Sequence, residues 1–278
     1  MTEPQTPDVE TGWAWVDDAG DWLPPAVRDN APSAARMYDY YLGGKDNMLV
    51  DREAADQVIQ VVPDARDLAV ENRGFLARAV RTMAEAGIDQ FIDLGSGLPT
   101  SPNVHEIARE VHPNARVAYV DRDPLVLAHS RARVAVDPLT RTVVGDLRMP
   151  GEVLARPDLG NLIDFGEPVG ILLIAVLHFV DHVLAPEVVR QYVRPLVTGS
   201  MVAISAGQSE GADKDVVSTL ERVYEASPTP VYLRTRAQIG ELFGDLQLIE
   251  PGLADITQWR KDGTPGSMQA GCGVAVKV

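Results

Sequence analysis

The sequence predicts an α/β fold built on a mostly parallel, doubly wound sheet with helices on both faces. Three observations carry that prediction. From residue 91 onward, short apolar runs alternate with amphipathic segments of helix length, the pattern of strands joined by crossover helices. Three of those runs finish on an acid, at Asp93, at Asp121 and at Gly145-Asp146, where strand ends would face a ligand crevice. The last two runs are joined through a Gly/Pro-containing stretch, which predicts an antiparallel hairpin at one edge.

Taken in order, residues 1–32 hold Trp13, Trp15 and Trp22 among acids and prolines, with neither helical nor strand periodicity. They read as an extended arm: a partly ordered tail, or an aromatic strap on the main domain or on a second copy of the chain, which leaves a homo-oligomer open. A first helix is expected from Ser33, a good N-cap, to a stop at Gly43, with Met37, Tyr40 and Tyr41 on one face. Gly43-Gly44-Lys45-Asp46-Asn47 then reads as a flexible polar turn of the kind that closes over a ligand. Helices follow over 51–60 and 67–86. The second has an apolar stripe from Leu68 to Met83, and its Glu71-Asn72-Arg73 group reads as a solvated face. Residues 33–90 are thus expected to form a helical cap or lid ahead of a core domain over 91–278.

Within that domain strands are expected at 91–94, 116–120, 141–144, 170–177, 200–205, 246–249 and 274–278. Helices are expected at 103–111, 124–134, 185–192, 213–226 and 236–243, with a short helical piece at Val153-Leu154. The stretch 259–271 is read as the hairpin loop.

Composition narrows the function. The 278 residues, 45% of them hydrophobic, suffice for one large domain. A net charge of −15 repels nucleic-acid backbones and anionic lipid surfaces, so neither is an expected partner. The single Cys272 allows no internal disulfide, and no Cys/His spacing suits a metal. No export signal precedes the domain, and the most apolar run, Val169 to Val180, is about half of the ~20 residues a spanning helix needs. A cytoplasmic location is expected.

The stretch Asp93-Leu94-Gly95-Ser96-Gly97-Leu98-Pro99-Thr100 reads as a nucleotide-cofactor cradle, a buried strand running into a loop whose glycines permit positive φ and close approach by a ligand. A dinucleotide site would carry a third glycine to bring a helix N-terminus to the pyrophosphate. Here that glycine is absent, and Pro99 and Pro102 delay the helix. Asp121, ending the next strand, suits a ribose diol. A ligand with a ribose and no pyrophosphate fits, and S-adenosylmethionine is such a ligand.

Asp93-Leu94-Gly95-Ser96-Gly97, Val120-Asp121-Arg122-Asp123-Pro124 and Gly145-Asp146-Leu147 resemble motifs of class I S-adenosylmethionine-dependent methyltransferases. More narrowly, the segment Ser33 to Asn47, Glu71-Asn72-Arg73, Gly97-Leu98-Pro99-Thr100 and Ala175-Val176-Leu177-His178-Phe179 resemble an actinobacterial family of uncharacterised methyltransferases of DUF574 type, from about Pro32 to the C-terminus. The resemblance implies a Rossmann-like fold with a seven-stranded sheet and S-adenosyl-L-methionine as cofactor. It implies that Gly95, Ser96 and Gly97 cradle the methionyl part, with Asp93 on its amino group. It also implies Asp121 on the ribose, Arg122 over the adenine, and Asp146 and the Leu147 amide at the adenine edge.

Methyl transfer is a displacement in which positioning and water exclusion supply much of the rate. His178, after the fourth strand, is a candidate base or pocket wall, with strand-end capping as its ordinary alternative. Arg73 is a candidate for the cofactor carboxylate. Tyr38, Tyr41 and Lys45 are candidates for the lid, Tyr38 also touching the reacting centre and Lys45 the cofactor. The segment 213–235, with Tyr224 and Tyr232, would add to the substrate wall. The expected activity is methylation of a small-molecule acceptor; the rivals are a non-catalytic S-adenosylmethionine-binding regulator and a nicotinamide-dependent dehydrogenase.

Overall fold

Ser33 opens helix α1 (Ala34–Tyr41) through its backbone, while its hydroxyl leaves the helix end and donates to Asp123 Oδ2 at 2.8 Å. This computed structural model describes residues 31–135, 137–225 and 229–278, so the Trp-bearing arm lies outside the described residues except for Ala31 and Pro32. Gly43, at φ +77°, ends α1. The turn after it is tied down, because Asp39 Oδ2 accepts from the Asp46 amide at 3.0 Å and from Asn47 Nδ2 at 2.8 Å. Helix α2 (Leu49–Val61) starts over Asp51, whose fully buried carboxylate takes the Ser33 and Met48 amides and Arg36 Nε at 2.7–2.9 Å. Helix α3 (Ala65–Glu85) leads into the sheet.

Strands β1 (Gln90–Leu94), β2 (Arg116–Asp121), β3 (Thr140–Val144), β4 (Gly170–Ile174) and β5 (Met201–Gln208) are parallel. Between them run α4 (Val104–Arg109), α5 (Pro124–Arg133), α6 (Pro150–Leu154), α7 (Pro157–Gly160) and α8 (Leu184–Val193). Then come α9 (Lys214–Glu225), α10 (Arg236–Glu241), β6 (Gln247–Leu248), β7 (Ala254–Asp255) and β8 (Gln269–Val276). The sheet order is β3-β2-β1-β4-β5-β8-β6, with β7 added on β8. Strand β8 is antiparallel to β5, β6 and β7.

Alternation along the strands builds the two faces. Ile92, Leu94, Ala118, Val120, Ile171 and Leu173 point to the face covered by α6, α7, α8 and α10. Phe91, Val117, Tyr119, Leu172 and Ala203 point to the face covered by α3 and α4. A third apolar cluster joins α1, α2, the start of α3, and α9 as a roof beside the carboxyl ends of the parallel strands.

Four details differ from the sequence reading. The fourth strand ends at Ile174, and Leu177–Phe179 is a single 3₁₀ turn, because Ala175 takes a left-handed φ of +53°. The last strand starts at Gln269, so the end of the expected hairpin loop is strand, and its first residue, Trp259, is core. The two-residue β7 makes eight strands where seven were expected. Trp259, assigned to that loop, is fully buried edge-on to Phe75 with ring centroids 5.4 Å apart, and Arg78 caps its carbonyl.

Replacing Trp259 by alanine removes the largest fully buried side chain of the described residues. The expected cost is ~3–5 kcal/mol of unfolding free energy, measured by urea titration, with the transition midpoint falling and its slope unchanged.

Candidate functional site

Because β1 to β5 are parallel, their carboxyl ends share one edge, and the order reverses between β1 and β4. A cavity of about 600 Å3 opens at that switch point, within the ~300–1,000 Å3 range of small-molecule sites. The glycine loop forms its floor. Gly95 sits at φ +72°, and a Cβ there would stand 2.4 Å from Val176 Cγ2; Gly97, at φ +65°, faces open space. Ser96 Oγ is buried with no hydrogen-bond partner among the described residues.

The acids expected to bind cofactor all line this cavity, in unequal states. Asp121 accepts from the amides of Gly97, Arg122 and Asp123 at 2.7–2.9 Å, which ties the glycine loop to the end of β2. Burial still pushes its carboxyl above the usual range. Asp146 is taken up by Arg148, through backbone and guanidinium, and by Arg122 Nη1 at 3.2 Å. Burial opposes ionisation there, and the Arg148 bonds outweigh it and hold the carboxyl low. Both Asp146 oxygens are therefore filled, so the expected acceptor for the adenine amino group is engaged elsewhere. Asp93 is the exception: 5% exposed, it accepts no hydrogen bond among the described residues. Burial raises its pKa to about 7, against the pull of Arg73 and with a push from Asp121.

Arg73 stands beside Asp93 on the cavity wall and spends Nη2 on the carbonyls of Thr100 and Pro102, at 2.7 and 2.6 Å, bracing the loop's exit. Arg122, exposed, and Leu147 complete that side. Lys45 is exposed and outside the cavity lining, since the Asp39 clamp turns its loop toward Arg133, which pairs with Asp46. The flexible lysine-bearing turn expected over the ligand is a closed, anchored one.

At the other end, His178 Nδ1 accepts from the Gly207 amide at 3.3 Å. That bond puts the proton of the neutral ring on Nε2, which has no partner among the described residues and belongs to a ring lining the cavity. Burial, with Arg234 nearby, lowers the His178 pKa to about 3. With its Nδ1 lone pair engaged by Gly207, the neutral ring keeps Nε2–H as a donor, beside the pocket-wall and base roles expected of it. Tyr38 is also committed: its hydroxyl donates to the Ala69 carbonyl at 3.1 Å and accepts from Asn72 Nδ2 at 2.9 Å, and burial raises its pKa.

The sequence reading missed three residues. Asn72, taken for part of a solvated face, is buried, and its Oδ1 accepts from Ser205 Oγ at 2.6 Å; Ser205 in turn receives the amide of left-handed Ala175. The chain Tyr38-Asn72-Ser205-Ala175 therefore links the roof to the ends of β4 and β5. Arg234, 1% exposed, donates to the carbonyls of Leu177, Val180, Asp181 and Tyr232 and holds the turn carrying His178. Their decisive partners are distant in sequence, 133 positions between Asn72 and Ser205 and 57 between Arg234 and Leu177.

The profile of a family described as S-adenosyl methyltransferase matches residues 21–277. The chain belongs to that family. Two crystal structures are similar over nearly their whole length. One, a provisionally assigned methyltransferase from Thermobifida fusca YX, is 38% identical with a TM-score of 0.85, covering 92% of this chain and 99% of that one. The other, a DUF574 family protein from Streptomyces avermitilis MA-4680, is 39% identical with a TM-score of 0.85, covering 91% and 100%. Comparison with curated proteins finds no match. The protein is thus an S-adenosylmethionine-dependent methyltransferase with the class I fold. The residues present suit that cofactor: a glycine cradle with no room for a Cβ at Gly95, and, with no hydrogen-bond partner among the described residues, the Ser96 hydroxyl and the buried Asp93 carboxylate.

Two outcomes follow for the methyltransferase. A folded-state pKa above the unfolded value means that the Asp93 site favours the protonated form, so its contribution is fully present below about 3.8 and is lost as pH rises toward about 7. The melting temperature of the ligand-free wild type should fall relative to that of Asp93→Asn across this window and run parallel above it. Gly95→Ala meets both a left-handed φ and a clash, whereas Gly97→Ala meets only the φ. By calorimetry Gly95→Ala should abolish cofactor binding, while Gly97→Ala should cost about tenfold, the worth of ~1–2 kcal/mol of backbone strain.

Proposed function

We propose that the methyltransferase holds S-adenosylmethionine across the glycine loop and transfers its methyl group to a small molecule bound under the α1, α2 and α9 roof. The observation that carries this reading is one continuous cavity lined both by Asp93, Gly95 and Asp121 and by Tyr38, His178 and Tyr224. Unpartnered Asp93 takes the cofactor ammonium, which favours its ionised form. Asp121, with three of roughly four acceptor positions used, gives its remaining one to the ribose. The remaining Arg73 donors face the carboxylate; Arg122 packs over the adenine, and the Leu147 amide meets its edge. Asp146 acts through the arginines it holds. The bound cofactor supplies an electrophilic methyl group. The chain's own part is to orient the acceptor, exclude water and fix the hydrogen bonds of Tyr38 and His178.

Among the described residues, no group of His, Cys, Asp and Glu is placed to hold a metal ion, and no helix is long and apolar enough to cross a membrane. We place the enzyme in the cytoplasm, where a lone buried thiol such as Cys272 is ordinary.

Calorimetry tests the cofactor site. S-adenosylmethionine and S-adenosylhomocysteine should bind and NAD should not, and Asp121→Ala should weaken both sulfur nucleotides by about 10–100-fold, as loss of a charge-assisted hydrogen bond and of the loop tie implies. Absence of binding by both at millimolar concentration would overturn the assignment of this cavity. Incubation with methyl-labelled cofactor and a cell extract separates enzyme from regulator: a labelled small product is expected, and none under any condition would favour a binding protein.

A further inference from the structure

Charge divides the cavity into two halves. Its charged side chains gather at the ends of β1, β2 and β3, namely Asp93, Asp121, Asp146 and their arginine partners. The two charged cavity residues on α1 are engaged, Arg36 with Asp51 and Asp39 with the Asp46–Asn47 turn. The wall beneath the roof is neutral and rich in rings: Tyr38, Tyr41, Phe179 and Tyr224 with Val62 and Leu233. A carboxylate, phosphate or ammonium on the acceptor would enter this half without a counter-charge.

The polar groups between the halves narrow the acceptor further. Tyr38 and Ser205 each have their proton committed, to the Ala69 carbonyl and to Asn72 Oδ1. His178 has its lone pair committed to the Gly207 amide and offers Nε2–H. None of these groups can take a proton from an acceptor; His178 can only donate to one. Where that donor meets the reacting atom, it would block a neutral amine, whose single lone pair it would occupy, but leave an oxyanion two further pairs. Resting on the methyltransferase reading above, we propose that the acceptor is an apolar phenol or enol whose oxygen, at the boundary between the halves, is bound as its oxyanion, with His178 Nε2–H donating to it and the cofactor's sulfonium as its counter-charge. An oxygen lone pair forms the O–C bond to the methyl carbon, the C–S bond breaks with its electrons going to sulfur, and the opposite charges cancel. The hydroxyl proton leaves to solvent on binding, so no base is required within the site.

The test uses full-length protein saturated with sinefungin, whose amine puts a positive charge where the sulfonium would lie, with probes that share one apolar frame. By calorimetry 2-naphthol should bind at least about tenfold more tightly than 2-naphthylamine, whose one lone pair the His178 donor would occupy, or 6-hydroxy-2-naphthoate, whose carboxylate would enter the neutral half without a counter-charge. With 4-nitrophenol held on the acid side of its midpoint, added protein should raise the phenolate absorption band. His178→Ala should abolish that rise and His178→Gln, which keeps a donor near the Nε2 position, should restore it, both variants still binding sinefungin. Tighter binding of the amine or the carboxylate, or a phenolate band indifferent to His178→Ala, would overturn the proposal while leaving the cofactor reading intact. Failure of sinefungin itself to bind would instead remove the reading on which it rests.

Discussion

Parallel pairing of β1, β2 and β3 forces the acids that end them onto one edge of the sheet, where like charges at short range raise each other's energy. The fold resolves this crowding residue by residue. Asp121 is satisfied by three backbone amides, Asp146 by two arginines, and Asp123 by the Leu125 amide and the Ser33 hydroxyl. Of these acids Asp93 alone accepts from no donor among the described residues. The edge therefore has room for one positive charge, which on the proposed reading is the cofactor's ammonium. Cofactor selectivity on this account comes from an imbalance left in the folded protein as much as from the shape of the glycine loop.

The same acids organise the chain around them. Asp121 joins the glycine loop to β2, and Ser33 joins the start of α1 to the start of α5, so the roof is referenced to the strand ends beside the glycine loop. A second tie, Tyr38 through Asn72 to Ser205, fixes the roof to β5. Ala175 pays for its left-handed backbone within this network: its amide is received by Ser205 Oγ and the Ser205 carbonyl at 3.0 and 3.1 Å. That conformation breaks β4 and sends the next residues into the turn that presents His178.

Much of this was legible in the sequence. The strands carrying Ile92, Ala118 and Leu172 alternate cleanly between two apolar faces, and an acid after such a run is hard to place except at a strand end. The missing third glycine after Gly97 separated this loop from a dinucleotide site. What escaped was non-local. Strand β8 contains Gly271 and Gly273, poor strand residues in isolation; a Cβ on either would press on Ile239, or on Leu248 and Phe243, so close packing selects glycine there. Asn72 and Ser205 are ordinary polar residues until the fold brings them within 2.6 Å. His178 was found by position, but its proton was not, because that depends on an amide 29 residues away. Lys45 was misled by its own glycines, which serve a turn clamped on Asp39.

The division of the cavity also separates two histories of change. The charged half is made by strand ends and the loops directly after them, so altering it disturbs the sheet's own ladder of hydrogen bonds. Much of the neutral half is drawn from α1, α2 and α9, which pack on one another in a cluster of their own. Substitutions at such positions as Val58 or Leu220 reshape the chamber at the expense of the roof, while the nucleotide grip stays as it was. On the proposed reading, exchanging these helices' side chains would change which acceptor fits and leave the methyl donor's half of the cavity as it is.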